Sequence, residues 1–215
     1  MNPPRLILWD WNGTLLDDLD LCIQCLNQLL ERWGYAQRYD LNQYRSIFGF
    51  PVRDYYRTAG FDFDRHPFDV LAQDYMEHYL PAAQQCGLCA GALQALTALK
   101  AAGIPQVVLS ASPQSVLEEQ VAQRGLSGFF DKLLGQNDIY AHSKVETGLR
   151  FMATQSIDPA QVVMIGDTLH DFETAQAMGT QCVLCAQGHH SAQRLQTTGA
   201  PVLQTLSLLP GMLGL

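Results

Sequence analysis

The chain has 215 residues, 47% hydrophobic and 16% charged, with 21 acidic against 13 basic side chains and a formal net charge of −8. That size and apolar share suit one core with a modest insertion and exclude an intrinsically disordered chain. The acidic balance argues against a nucleic-acid partner gripped through its phosphates, and no apolar window of 18 or more residues is available to cross a membrane.

The N-terminus has no basic segment leading into a long apolar stretch, so a cytoplasmic location is expected. The run Leu6-Ile7-Leu8-Trp9 predicts a short buried strand, ended by Asp10 and Gly13. Residues 17–34 carry Leu19, Cys22, Ile23, Leu26, Leu29, Leu30 and Trp33 at helical spacing, with Gly34 as a stop. Three further helical patterns, rich in Tyr, Phe and Arg, follow to about residue 80, with no strand among them.

Beyond Gly87 the texture changes. Helices are expected over 90–102, 113–124, 145–155, 170–178 and 191–197, and strands over 107–109, 132–134, 162–165, 182–185 and 202–203. This alternation predicts an α/β fold, a doubly wound parallel sheet built from residues 1–16 and 88–215. Residues 17–87 interrupt it as an inserted all-helical cap.

The six cysteines form three C-x-x-C pairs: Cys22/Cys25, Cys86/Cys89 and Cys182/Cys185. Within a strand, the spacing of Cys182 and Cys185 sends them to opposite faces. Buried thiols in a reducing compartment are expected; a four-cysteine zinc site from the first two pairs is the other arrangement the spacing allows.

In doubly wound sheets, ligands bind beyond the carboxyl ends of the strands. Those positions read Asp10-Trp11-Asn12-Gly13-Thr14, Ser110-Ala111-Ser112, Gly166-Asp167-Thr168 with Asp171, and Gly188-His189-His190. Asp10 is placed to act as a nucleophile or metal ligand, or simply to close a tight turn. Asp167 and Asp171, each readable alone as a helix-start acid, form with Asp10 a three-carboxylate cluster that repels itself without a cation. Ser110 and Lys144 offer a hydroxyl and an ammonium to phosphoryl oxygens. Lys144, in the loop Ala141-His142-Ser143-Lys144, is one of three lysines and reads otherwise as a solvated side chain. Ser112, before Pro113, reads as a helix N-cap. Arg45 and Arg53 either meet a substrate carboxylate or second phosphate or are solvated helix arginines.

The set Asp10-x-Asn12-Gly13-Thr14-Leu15-x-Asp17, then Ser110, Lys144 and Gly166-Asp167-Thr168-x-x-Asp171, resembles the four spaced motifs of the haloacid dehalogenase-like hydrolase superfamily. It is most similar to phosphoglycolate-phosphatase-like members, which carry a small helical cap. The resemblance implies a Mg²⁺-dependent phosphatase of a small phosphorylated metabolite, with Asp10 forming an aspartyl-phosphate. It further implies that Asp10, Asp167, Asp171 and the backbone carbonyl of Asn12 hold Mg²⁺. The phosphoryl group would lie against Gly13, Thr14, Ser110, Ala111 and Lys144.

One position departs from the pattern. Two residues after the nucleophile these phosphatases carry an Asp that gives and takes the proton; here it is Asn12. An amide exchanges no proton, and general acid–base catalysis is worth ~10²–10⁴-fold. A slow enzyme is expected, or an impaired regulatory protein that keeps the metal and phosphate site. His189 is either a substitute placed by topology, with a part in substrate selection, or a solvated loop side chain. Phosphonate-cleaving relatives use a cap lysine, and residues 17–87 contain none.

Overall fold

The computed structural model describes residues 4–136 and 144–215; Ala141, His142 and Ser143 of the loop before Lys144 lie outside the described residues. Six strands, β1 (Leu6–Trp9), β2 (Gln106–Pro113), β3 (Lys132–Gln136), β4 (Val162–Gly166), β5 (Gln181–Cys185) and β6 (Val202–Leu203), form one sheet. All pairings are parallel, in the order β3-β2-β1-β4-β5-β6. The chain leaves β1 toward β2 and β3, then returns to place β4 on the other side of β1. The reversal of strand order therefore falls between β1 and β4.

The central strands β1, β2, β4 and β5 each carry a continuous buried apolar run because helices cover both faces of the sheet. Ile7, Trp9, Val108, Ile165 and Cys185 face one layer, packed by Leu96 of α5 (Ala92–Ala101), Leu117 of α6 (Gln114–Gln123) and Leu209 of α10 (Leu209–Leu213). Leu8, Leu109, Met164, Cys182 and Leu184 face the other. There they meet Phe151 of α7 (Lys144–Ala153), Met178 of α8 (Leu169–Met178) and Leu195 of α9 (Ala192–Gln196). Cys182 and Cys185 thus fall on opposite faces, as their spacing requires. All six cysteines are free, and among the described residues no three cysteine sulfurs stand at ligand spacing. The four-cysteine zinc arrangement is not formed.

Between β1 and α5 run α1 (Leu19–Arg32), α2 (Leu41–Ile47), α3 (Val52–Thr58) and α4 (Phe68–Ala83). They bury an apolar cluster of their own around Leu26, Leu29, Tyr44, Tyr56 and Leu71. A capping box between Asp40 and Gln43 starts α2, and Asp74 ties α4 to α1 through Arg32 (2.9 Å) and the Trp33 indole (2.6 Å). The helical segment is fastened to the loop after β5. Arg45 donates to the carbonyl oxygens of Gly188 and Gln187, both at 2.9 Å, and Arg194 donates to that of Phe48 at 2.7 Å. No helix of the described residues is long and apolar enough to cross a membrane.

Candidate active site

The first loop after the sheet is shaped by Gly13, which adopts φ +71°. A side chain there would stand 2.5 Å from both Asp167 Oδ2 and the His189 ring, so only glycine lets this turn close against β4 and the loop after β5. Asp10, whose N–H donates to the Ile165 carbonyl (2.8 Å), is thereby placed at the tip of β1 beside the tip of β4. This is the switch point of the sheet, where α/β folds bind their ligands.

Three buried carboxylates converge there: Asp10, Asp167 and Asp171 each offer an oxygen within 4.8 Å of the others. The Thr14 hydroxyl bridges Asp10 Oδ2 (3.1 Å) and Asp167 Oδ1 (3.0 Å). Lys144 Nζ lies 2.6 Å from Asp10 Oδ1 and also contacts Asp171 Oδ1. Thr168, not Asp167, is the N-cap of α8, and it forms a capping box with Asp171. The solvated reading of Lys144 is overturned: it is 2% exposed, because the ammonium sits among the carboxylates it partly neutralises.

The charges do not balance. Burial, reinforced by Asp171 and Asp167, pushes Asp10 well above the usual carboxylate range despite Lys144. Burial also lifts Asp167 to about 6. For Asp171 burial acts upward but is outweighed by Lys144 and the Thr168 hydrogen bonds, which hold it low. Lys144 is raised: Asp10 and Asp171 outweigh its own burial. Three carboxylates against one ammonium leave negative charge that a divalent cation compensates, and oxygen-only donors suit Mg²⁺. The residues fit such an ion.

A second buried cluster adjoins the first. Asp18 Oδ1 accepts the Gly13 N–H (2.9 Å), and Oδ2 accepts the Tyr79 hydroxyl (2.6 Å) and the Asn12 amide (2.8 Å). His189 Nε2 stands 3.6 Å from Asp18, its Nδ1 is 3.0 Å from the Tyr44 hydroxyl, and its ring stacks on Phe48. The backbone N–H of His189 donates to Asp167 Oδ2 at 2.6 Å. Burial acts upward on Asp18, yet the hydrogen bonds of His189, Tyr79 and Asn12 hold it below its ordinary value. Burial acts downward on His189, but Asp18 and Asp167 raise it to about 9. Cys22 lies 3.6 Å from Asp18 and completes a ligand-like trio with it and His189, but the carboxylate is already saturated by donors.

The other sequence expectations fare unevenly. His189 is 3% exposed, so it is no solvated loop side chain: the turn at Gly13 and the Phe48 ring enclose it. Ser110 is buried, but its Oγ accepts the Ser112 N–H (3.0 Å) and it does not line the cavity at the site; Ala111 and Ser112 do. Strand β2 runs on to Pro113, so Ser112 is not an N-cap; its hydroxyl donates to Asn12 Oδ1 at 2.7 Å. Arg45 is spent on backbone carbonyls, and Arg53 is exposed over the Phe63 and Phe68 rings (5.0 and 5.4 Å); neither lines the cavity. Sequence reasoning passed over Asp18, Tyr79 and Tyr44. Only Asp18 carried a signal, as the acid directly ahead of an apolar helical run.

The cavity, about 160 Å³, opens from Asp10, Asn12, Lys144 and Asp167 toward the aromatic side chains of α3 and α4.

A family model for haloacid dehalogenase-like hydrolases matches residues 7–185. The chain belongs to that family. Within this hydrolase family it is phosphoglycolate-phosphatase-like. It is 27% identical over 210 residues to a phosphoglycolate phosphatase of Rhodobacter capsulatus, covering 96% of this chain and 95% of that one. It is 28% identical over 205 residues to an N-acetylmuramic acid 6-phosphate phosphatase of Pseudomonas putida, covering 93% and 91%. A predicted phosphatase from Clostridium acetobutylicum has the same fold, with a TM-score of 0.84 over 100% of both chains at 20% identity.

Proposed function

We propose that the protein is a Mg²⁺-dependent phosphoric monoester hydrolase acting on a small phosphorylated molecule through an aspartyl-phosphate on Asp10. The observation that carries this reading is the placement of Asp10 at the switch point, on the cavity wall, with Lys144 and two further carboxylates beside it. Asp10, Asp167, Asp171 and the Asn12 backbone carbonyl would hold the ion. Bound there, Mg²⁺ supplies charge compensation for the phosphoryl oxygens.

An Asp10 carboxylate oxygen attacks phosphorus, and the ester P–O bond breaks toward the leaving alcohol. Water then attacks the same phosphorus, returning the Asp10 carboxylate and releasing inorganic phosphate. Lys144 orients Asp10 at 2.6 Å and opposes the burial that favours its protonated form, a charge compensation that the bound cation would complete. Asn12 supplies no proton: it gives one N–H to Asp18 and another to Tyr79 (2.7 Å), and accepts from Ser112. The leaving oxygen draws its proton from water, so turnover is slow for poor leaving groups.

That saturated amide also supports a second reading, an impaired member that binds metal and phosphate without turnover. Phosphate release from p-nitrophenyl phosphate in Mg²⁺ and in EDTA separates the two. Release only with Mg²⁺ supports the enzyme; none above the Asp10→Asn variant supports the binding protein.

A further inference from the structure

All thirteen lysines and arginines of the chain fall within the described residues, so every fixed cation open to a substrate can be located. Only Lys144 lines the cavity, and its ammonium is taken up by Asp10 and Asp171. Arg45 and Arg194 are turned onto backbone carbonyls of the loop after β5 and of Phe48. Arg53 lies exposed over Phe63 and Phe68.

Away from the carboxylate cluster, the wall is made by Phe48, Phe50, Tyr55, Phe68, Tyr75 and Met76. The buried charges on that side are the Asp18 carboxylate and His189, which face each other at 3.6 Å, with the Tyr44 hydroxyl on the other ring nitrogen of His189. An anionic leaving group would lose its water against aromatic faces with no free lysine or arginine to receive it, the one imidazole there being already paired with Asp18. A neutral ring would instead gain aromatic contacts. The volume sets an upper bound: an apolar cavity of roughly 150 Å³ accepts benzene, and this one, its carboxylate end included, is about 160 Å³, so beside the phosphoryl group it encloses no more than about one ring.

We propose that the substrate is a phosphomonoester of a neutral, apolar alcohol or phenol about one ring in size. The cavity discriminates against leaving groups that bear a carboxylate or a second phosphate, the glycolate of phosphoglycolate among them. This rests on the phosphomonoesterase reading above. Asp10 displaces the alcohol, which leaves neutral after taking a proton from water, and a second water then releases inorganic phosphate from Asp10.

The test compares kcat/KM in Mg²⁺ for phenyl, 3-carbamoylphenyl and 3-carboxyphenyl phosphate. The last two have nearly the same shape and differ by one charge. The expected result is at least a tenfold preference for the carbamoyl over the carboxy compound, with 2-phosphoglycolate also disfavoured against phenyl phosphate. Parity, or a preference for the carboxy compound, overturns the proposal while leaving the phosphatase reading intact. If p-nitrophenyl phosphate itself releases no phosphate, the phosphatase reading fails. Calorimetric affinities of the corresponding phosphonates then decide the specificity alone: a tenfold gap upholds it, and equal binding overturns it.

Discussion

Asn12 gives an amide N–H to the Asp18 carboxylate at 2.8 Å, so the acid missing from position 12 stands six residues further on. It is not available for proton transfer: Asp18 also takes the Tyr79 hydroxyl and the Gly13 N–H and faces His189, and these donors hold it ionised. The pair fixes the turn that carries the site.

Replacing the amide tests what that arrangement costs in rate. In Asn12→Asp a second carboxylate would face Asp18 at hydrogen-bond distance, and one of the two must keep its proton. The variant therefore gains an acid beside the leaving group. Its kcat/KM toward alkyl phosphates rises by ~10²–10⁴-fold, while stability falls by about 1–3 kcal/mol from the lost donors to Asp18 and Tyr79. Steady-state phosphate release and urea unfolding read the two effects; no gain in rate would show that proton supply does not limit turnover.

Lys144→Met removes the one ammonium from three buried carboxylates. Stability in EDTA drops by about 3–5 kcal/mol, the usual consequence of stripping the partner from a buried charge. Added Mg²⁺ restores about 2.7 kcal/mol at a hundredfold excess over its dissociation constant. Denaturant unfolding with and without the ion measures both; a loss below about 1 kcal/mol in EDTA would mean that the carboxylates are not ionised together.

The Asp18–His189 pair predicts a pH window. His189 is raised to about 9 in the folded protein, against an ordinary 6.5, so its contribution is fully present below pH 6.5 and fades as pH climbs through 9. Asp18 is depressed, so its contribution is present above its ordinary 3.8 and fades as pH falls through its lower folded value. In EDTA, the stability gap between wild type and His189→Gln is expected to be wide at pH 6 and to close by pH 10. A gap that is flat or grows with pH contradicts the ion pair.

Arg45→Ala distinguishes a clamp from a substrate ligand. Because Arg45 holds the carbonyls of Gln187 and Gly188, next to His189, its loss slows all substrates together and leaves the ratio of phenyl phosphate to phosphoglycolate unchanged. A selective loss on phosphoglycolate would make Arg45 a carboxylate receptor after all.

The fold was legible because its central strands contain short apolar runs followed by Asp10, Ser110 and Asp167, the pattern that parallel strands buried on both faces produce. The carboxylate cluster was legible for the same reason: strand ends converge wherever strand order reverses. Orientation was not. Whether Ser110 Oγ turns to the cavity or to Ser112, and whether Arg45 points at substrate or at the loop after β5, depends on rotamers and on how the helical segment docks, which spacing does not encode. Asp18 and Tyr79 lie 61 positions apart in the sequence and meet only through packing of α1 against α4.

In the proposed mechanism Asp10 becomes phosphorylated during turnover. The direct measurement is acid quench of the Mg²⁺-loaded enzyme during hydrolysis of p-nitrophenyl phosphate, borohydride reduction, and mass spectrometry of the peptide spanning Asp10. Reduction of the Asp10 side chain to the alcohol in wild type, and its absence in Asp10→Asn, is the predicted result. Phosphate release with Asp10 left unreduced would contradict it.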